Sequence, residues 1–186
     1  MDAAEFAKWV QEHNTGEEYF CQKNRVFILS CGTRTYTWFL KSGVMYTALQ
    51  LENNEGEVAN TIWQKNDMIH SLHEDIMLPC HALTDSVLIR YPSEELNKQI
   101  RDDKELSWYL AEHYYSQFRK TLINYQHATL DSSEDLLSYV EDKLSQIEEL
   151  KGEKISDATL AAFMGMHRVS VSRIRNRLSK GSHQDE

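Results

Sequence analysis

The stretch Ile155-Ser-Asp-Ala-Thr-Leu-Ala-Ala-Phe-Met-Gly-Met-His-Arg-Val-Ser-Val-Ser-Arg-Ile174 decides the fold, because its pattern predicts two short helices joined by a tight turn. Ser156 can cap the first helix with its hydroxyl, and Gly165 can adopt the left-handed conformation that the turn requires. The apolar positions at helical spacing are Leu160, Ala161 and Met164, followed by Val171, Ile174 and Leu178 on the inner face of the second helix. This pattern is typical of a helix-turn-helix that binds DNA.

The outward face of the second helix is basic and polar. Arginine can donate two hydrogen bonds to guanine, and serine and asparagine can bond phosphates or base edges. The predicted DNA-binding residues are Ser156, His167, Arg168, Val169, Ser170, Ser172, Arg173, Asn176 and Arg177, with Arg175 close by. The alternative is an ordinary helical hairpin whose basic face is merely solvated.

Charge is distributed unevenly along the 186 residues. Residues 151–180 carry seven Lys or Arg against two acids, whereas residues 1–150 carry thirteen against twenty-five. The local field around the second helix matters more for a DNA partner than the net charge of −9. We expect the acidic remainder to repel DNA and to confine contact to the basic end.

The composition favours a cytoplasmic protein without a membrane partner. No apolar run is long enough to span a bilayer, and the first residues lack the pattern of a secretion signal. Cys21, Cys31 and Cys80 are far apart and form neither a CxxC pair nor a zinc spacing, so we expect free thiols.

The N-terminal half has the texture of a β domain behind a short leading helix at residues 2–13. The predicted strands are residues 25–30, 36–40, 44–51, 58–63, a short segment at 68–69, 80–83 and 86–91. Many short strands with turns between them predict a sandwich or jelly roll.

The chain is predicted to be helical from Pro92 onward, with a long helix from Asp102 or Asp103 to about Ala128. One stripe on this helix contains Leu106, Leu110, His113, Gln117, Thr121, Asn124 and Ala128; a second contains Tyr115, Phe118, Leu122 and Tyr125. One face can pack on the β domain while the other pairs with a twin helix, and polar residues of the first stripe would fix the register. The alternative is a helix buried entirely within one chain.

This order of elements resembles the cyclic-AMP receptor protein/FNR (Crp/Fnr) family of bacterial transcription regulators. The sharpest similarity covers residues 160–174 and the hinge-like Leu130-Asp131, with weaker matches at residues 40–44, 55–57 and 65–67. The resemblance implies an α+β fold with a β-roll (jelly-roll, cyclic-nucleotide-binding-like) sensor domain in residues 1–101. A dimerisation helix in residues 102–129 and a helix-turn-helix domain in residues 130–186 would follow.

Two departures from the family concern the effector. Residues 69–82 lack the Gly-Glu and the Arg-Ser or Arg-Thr cradle of cyclic-nucleotide binders, so a cyclic phosphate has no evident charge partner. Three dispersed cysteines also disfavour the iron–sulfur cluster of the family's oxygen sensors. We therefore expect no evident cofactor and either a different effector or none. Whether His70, His73, Cys80 and His81 hold haem or a metal stays open.

A third departure concerns DNA reading. Many family members follow the first arginine of the reading helix with glutamate, which accepts a hydrogen bond from cytosine, whereas this chain has Val169. Valine can contact only a thymine methyl, so the preferred half-site should differ. The chain also ends soon after Leu178, so the usual β wing is expected to be reduced or absent.

These observations predict a homodimeric transcription regulator that binds a roughly palindromic DNA site and is not an enzyme. RNA polymerase would be a further partner if the protein is an activator. One alternative is a cupin-like enzyme that uses His70, His73 and His81 on a metal. The other is an effector-free module whose helix-turn-helix binds protein rather than DNA.

Overall fold

A computed structural model describes residues 1–31, 36–50, 57–69, 76–130 and 132–181, with the backbone alone at residues 30–31, 49–50, 76–78, 120–130 and 180–181. The chain divides into two compact units. The first contains Met1–Thr47 and Thr61–Lys120, and the second contains Ala48–Asn60 and Thr121–Glu186. The three-part division predicted from sequence remains a prediction.

Two antiparallel four-stranded sheets form the β domain, with strand orders β1-β8-β3-β6 and β2-β7-β4-β5. The strands are β1 (Glu17–Cys21), β2 (Val26–Cys31), β3 (Tyr36–Ser42), β4 (Met45–Gln50), β5 (Glu57–Trp63), β6 (Met68–Ile69), β7 (Ile76–Ala82) and β8 (Ser86–Pro92). Gly43 precedes β4 with φ +92°, where a Cβ would lie 2.6 Å from the carbonyl oxygen of Asp85. This close approach explains why the turn needs glycine.

The inner faces of the two sheets meet in a core of apolar side chains. Trp38 and Leu88 of the first sheet pack with Leu29, Met45 and Cys80 of the second. Trp63 donates a hydrogen bond from its indole nitrogen to Thr47 Oγ1 at 3.2 Å. The described residues between the two sheets therefore form an apolar core.

The outer face of the first sheet lies under three helices, α1 (Ala3–His13), α2 (Ser93–Asp102) and the start of α3 (Lys104–Leu130). Asp2 and Glu5 form a reciprocal capping box at the start of α1. Residues from all these elements form the second core cluster, which consists of Phe6, Ala7, Val10, Phe39, Met68, Ile89, Tyr91, Leu96, Ile100 and Leu106. Central strands β3 and β8 are thus apolar on both faces, which is why they were recognised from sequence.

Helix α3 confirms the long helix expected from sequence and carries two different faces. Leu106 is buried in the core under α1 and α2, and Leu110 packs against that core. On another face, Trp108, Tyr115 and Phe118 are 68%, 64% and 59% exposed. The first sequence stripe therefore begins as the side that packs on the β domain. Tyr115 and Phe118 of the second stripe are exposed, and Trp108 extends them on the same face, whereas the side chains of Leu122 and Tyr125 lie outside the described residues.

The C-terminal part contains α4 (Ser133–Ser145), a 3₁₀ turn (Glu148–Leu150), α5 (Asp157–Met164) and α6 (Arg168–Gly181). Ser132 caps α4 by accepting a hydrogen bond from the Asp135 amide at 3.2 Å. Helix α3 thus ends at Leu130 and α4 begins at Ser133, where the sequence predicts a hinge. The predicted absence of a wing falls partly on residues 182–186, which lie outside the described residues.

Two strand predictions need correction. Strand β1 was not predicted from the sequence. Strand β7 was predicted to begin at Cys80, whereas it starts at Ile76 and pairs through Pro79 with Ile28 of β2. The matched hairpin tip at Glu55-Gly56 lies outside the described residues. In the described ranges, no helix is long and apolar enough to cross a membrane.

Candidate nucleic-acid interface

Helices α5 and α6 are seated by a cap at one end of α5 and a glycine at the other. The Ser156 hydroxyl accepts a hydrogen bond from the Thr159 amide at 3.1 Å, which satisfies a free N–H of the first turn. Gly165 has φ 61° and ψ 34°, the left-handed conformation expected at the turn. The Met166 amide then donates to the Ala161 carbonyl at 3.0 Å. The Ser156 cap and the left-handed Gly165 that the sequence predicts are therefore both present.

The inner face of α6 is shorter than its sequence periodicity predicts. Val171 is fully buried and Ile174 is 3% exposed, whereas Leu178 is 47% exposed. Among the described side chains of α6, burial therefore ends at Ile174. The spacing of Leu178 continues the face of Val171 and Ile174, but Leu178 is not buried there, because periodicity identifies a face of a helix and not how far its partners cover that face.

The outer face of α6 presents most of the predicted DNA-binding residues to solvent. Val169 is 60% exposed, and Arg168, Arg173 and Asn176 are exposed as well. His167 lies just before α6, where its carbonyl accepts a hydrogen bond from the Ser170 amide at 2.9 Å. The predicted residues that are exposed are Ser156, His167, Arg168, Val169, Arg173, Asn176 and Arg177, whereas Ser170 and Ser172 are half-buried.

The arginines of α6 differ in how they are paired. Within the part of the chain that the structure describes, Arg168 and Arg173 form neither a salt bridge nor a side-chain hydrogen bond. The Arg177 guanidinium lies 3.2 Å from Glu134 Oε1 of α4. The two arginines that were predicted from sequence to read bases thus have no ionic partner among the described residues.

Arg175 points the other way and ties three elements together. It donates hydrogen bonds to Glu141 Oε1 at 3.0 and 2.6 Å, to Asp157 Oδ1 at 2.7 Å and to the Ile155 carbonyl at 3.3 Å. Partial burial disfavours its charge, but the bonds to Glu141 and Asp157 outweigh this effect and raise the pKa of Arg175. Arg175 therefore links α6 to α4 and α5 and is not part of the exposed face of α6.

The acidic residues that pair with α6 were not predicted from the sequence. Glu134 and Glu141 are two turns apart on α4, so they share one side of that helix. Arg175 follows buried Val171 by four residues, which places it beside the inner face of α6. These spacings were signals for the inward pairing of Arg175, but the identity of its partners depends on tertiary structure.

The histidine and cysteine cluster is divided by the sheet. Cys80 is fully buried in the roll core, while the neighbouring His81 stacks on Tyr46 with ring centroids 4.7 Å apart. Successive side chains of a strand point to opposite faces, so Cys80 and His81 do not face one metal. His70 and His73 lie outside the described residues. Among the residues described, no group of three potential metal ligands occurs.

The cysteines whose side chains are described are buried free thiols, Cys21 and Cys80. Burial, with a smaller contribution from Asp85, raises the pKa of the Cys21 thiol. A raised pKa leaves less reactive thiolate at neutral pH. The sequence expectation was that the cysteines form no disulfide, and the two cysteines described here agree with it.

Comparison with known proteins finds similarity in structure. No family model matches the sequence, and no curated protein matches it significantly. The c-di-GMP-responsive global regulator CLP of Xanthomonas campestris superposes with a TM-score of 0.79 at 11% identity, over 96% of this chain and 93% of its own. FixK2 of Bradyrhizobium japonicum gives a TM-score of 0.73 at 12% identity, over 90% and 86% of the two chains.

A Crp/Fnr-family transcriptional regulator from Thermus thermophilus gives a TM-score of 0.70 at 17% identity, over 89% of this chain and 87% of its own. The matches extend across nearly the whole length of both chains. The fold that the chain shares with these proteins therefore includes the β roll, the long helix and the paired C-terminal helices. The chain has the fold of the Crp/Fnr transcriptional regulators.

Proposed function

We propose that the protein is a transcription regulator that binds duplex DNA as a homodimer through α6. The observation that carries this proposal is the exposure of Arg168 and Arg173 on a helix that Gly165 and Arg175 hold in place. An exposed helix of this width fits the major groove, where the N-terminal residues of a reading helix contact base edges. The fold shared with Crp/Fnr regulators supports the same interpretation.

The residues of α6 divide the work of binding. Arg173 and Asn176 lie near the centre of the exposed face. They are three residues apart, which is less than one helical turn, so their side chains are neighbours there. Exposed Val169 is one turn before Arg173 and can contact a thymine methyl. Arg168 sits at the start of the helix and can donate to guanine or to a phosphate. The preferred half-site is therefore expected to combine guanine and thymine positions.

The proposed dimer uses the exposed stripe of α3. Trp108, Tyr115 and Phe118 are separated by seven and three residues, the spacing of the apolar seam in a coiled coil. Large exposed aromatic side chains in such a pattern favour burial against another helix. A parallel pairing of two α3 helices would present two α6 helices to successive major grooves, about 34 Å apart.

The described roll interior supports control by an effector other than a cyclic nucleotide, or by none. Trp38 and Leu88 belong to its packed core. Arg90 of β8 could approach a phosphate, but it donates to Glu17 Oε2 at 3.0 and 2.7 Å. Its guanidinium also lies over the rings of Tyr19 and Tyr36. A cytoplasmic location belongs to the same proposal, as does RNA polymerase as a further partner if the protein is an activator.

Binding to genomic fragments, measured by gel shift and fluorescence anisotropy at several salt concentrations, tests the proposal. Arg173→Ala should weaken binding to the selected site by about 1–3 kcal/mol, roughly five- to hundredfold, and lower the dependence on sequence. Lys23→Ala is a matched control, since it removes one positive charge from the β domain. Equal affinity of Arg173→Ala and wild type for the selected site would contradict the assignment.

A further inference from the structure

The pairing of Arg177 with Glu134 suggests a way in which the protein limits its own affinity. Arg177 lies on α6, nine residues after Arg168, so about 100° per residue places the two at opposite edges of the exposed face. The edges of a reading helix are where side chains meet the phosphates of the flanking strands. Arg177 is therefore positioned for the DNA backbone and not for base edges.

Glu134 lies in the first turn of α4 and engages the guanidinium group that a phosphate would need. Its Oε1 is 3.2 Å from Arg177 Nη2, and the two side chains are 39% and 69% exposed. A carboxylate and a phosphate compete for the same guanidinium donors. A phosphate that reaches Arg177 must displace Glu134 or approach a second negative charge. Either event weakens the contact.

The neighbouring arginines show that this arrangement is specific to Arg177. Arg175 is bound by two acids and is 29% exposed, so it is committed to the fold. Arg168 and Arg173 form no ion pair with the residues described. Arg177 is paired less firmly than Arg175, because Glu134 alone holds it, through an ion pair that solvent and DNA can both reach.

We propose that Glu134 is an intramolecular competitor that withholds Arg177 from the DNA backbone. It acts on the DNA-binding site of α6 and thus rests on the function proposed above. In the wild-type complex Arg177 stays with Glu134, and backbone contacts come from other basic residues. Removal of Glu134 releases Arg177 and adds one phosphate contact per subunit.

The test compares wild type with Glu134→Gln, Glu134→Asp and Glu149→Gln by anisotropy on one specific and one unrelated duplex. Glu134→Gln should tighten binding to both duplexes several-fold at low salt, and should steepen the salt dependence by about 0.9 per added phosphate contact. Glu149→Gln removes the same charge from an exposed residue of the 3₁₀ turn that is not paired with α6, so it should match wild type. Glu134→Asp keeps the charge but shortens the side chain, and should fall between the two.

A double-mutant cycle separates release of Arg177 from a general change in charge. Arg177→Ala should weaken binding less in the wild-type background than in the Glu134→Gln background, where it should abolish the gain. Equal effects of Glu134→Gln and Glu149→Gln, or equal effects of Arg177→Ala in both backgrounds, would overturn the role of Glu134. If wild type and all variants fail to bind duplex DNA while remaining folded by circular dichroism, the proposed function itself fails.

Discussion

Arg175 Nη1 donates a hydrogen bond to Asp157 Oδ1 at 2.7 Å, which ties the middle of α6 to the first turn of α5. The same guanidinium donates to Glu141 Oε1 of α4 at 3.0 and 2.6 Å. One side chain thus fixes the orientation of α6 relative to both helices on which it packs. An arginine that faces inward therefore determines where the outward arginines point.

Replacement of Arg175 should destabilise the C-terminal helices. Arg175→Ala leaves Glu141 and Asp157 without their partner, and charge-assisted hydrogen bonds contribute about 1.5–3 kcal/mol each when shielded. Because the arginine side chain is 29% exposed, solvent screening reduces the loss. We expect a decrease of about 1–2 kcal/mol in the free energy of unfolding, measured by urea denaturation.

Arg168→Ala is the matched control for this experiment, because Arg168 is an exposed arginine on the same helix. Its free energy of unfolding should stay within about 0.5 kcal/mol of wild type. Equal stability of the two variants would show that the Arg175 bonds do not hold α6 in place.

The C-terminal helices were predictable because their signals are local in sequence. The Ser156 cap acts on an amide three residues away, and Gly165 supplies a backbone conformation that depends on its own residue type. The partners of Arg175 were not predictable in the same way. Its partner Glu141 is 34 residues away, and no local pattern specifies that contact.

The strands show the same limit. Edge strand β1 begins with two glutamates, and its register is fixed by pairing with β8, as in Tyr19 opposite Leu88. Its sequence alone has only a weak alternating pattern. Strand β7 contains Pro79, and proline argues against a strand interior when read without the fold. Long-range pairing decides both cases, which a reading of local pattern does not capture.

Charge introduced into the exposed stripe of α3 should prevent self-association. Phe118 is 59% exposed, and burial of such a side chain contributes about 1.5–3 kcal/mol per copy. Phe118→Glu places two carboxylates at the seam of the proposed dimer. We expect the dissociation constant of the dimer to rise at least about a hundredfold, measured by sedimentation equilibrium.

Ser116→Glu adds the same charge to the same helix at an exposed position away from the stripe. It should associate like wild type. If both variants dissociate to the same extent, or if neither does, the stripe is not the dimer interface.

Alkaline pH should destabilise the first compact unit, because the half-buried Tyr109 resists ionisation in the folded state. The ring of Tyr109 packs beside Phe6 with ring centroids 4.7 Å apart. Burial raises the pKa of Tyr109 to about 12 from its usual 10.0, with smaller effects of Asp67 and Asp2. The folded state keeps the proton that the unfolded chain releases near pH 10. The stabilising contribution is thus complete below that pH and is lost as the pH rises toward 12.

Tyr109→Phe should flatten the decline of unfolding free energy across this alkaline window, measured by urea denaturation at a series of pH values. Tyr115→Phe, whose side chain is 64% exposed, should decline like wild type. A Tyr109→Phe profile that is parallel to wild type would assign the alkaline transition to other groups.

Val169 should determine one base pair of the preferred half-site. Its side chain is 60% exposed one turn before Arg173, so it can reach a base edge without rearrangement of α6. Valine offers only an apolar contact to a thymine methyl, whereas glutamate accepts a hydrogen bond from the cytosine amino group. Val169→Glu should therefore shift the selected base at one position of each half-site toward cytosine, with a discrimination of about 1–3 kcal/mol.

Selection from a randomised duplex library measures the preference for both proteins, and Val169→Thr, which keeps a methyl group, should retain the wild-type site. An unchanged consensus for Val169→Glu would place Val169 away from the bases and would require a different docking of α6 in the groove.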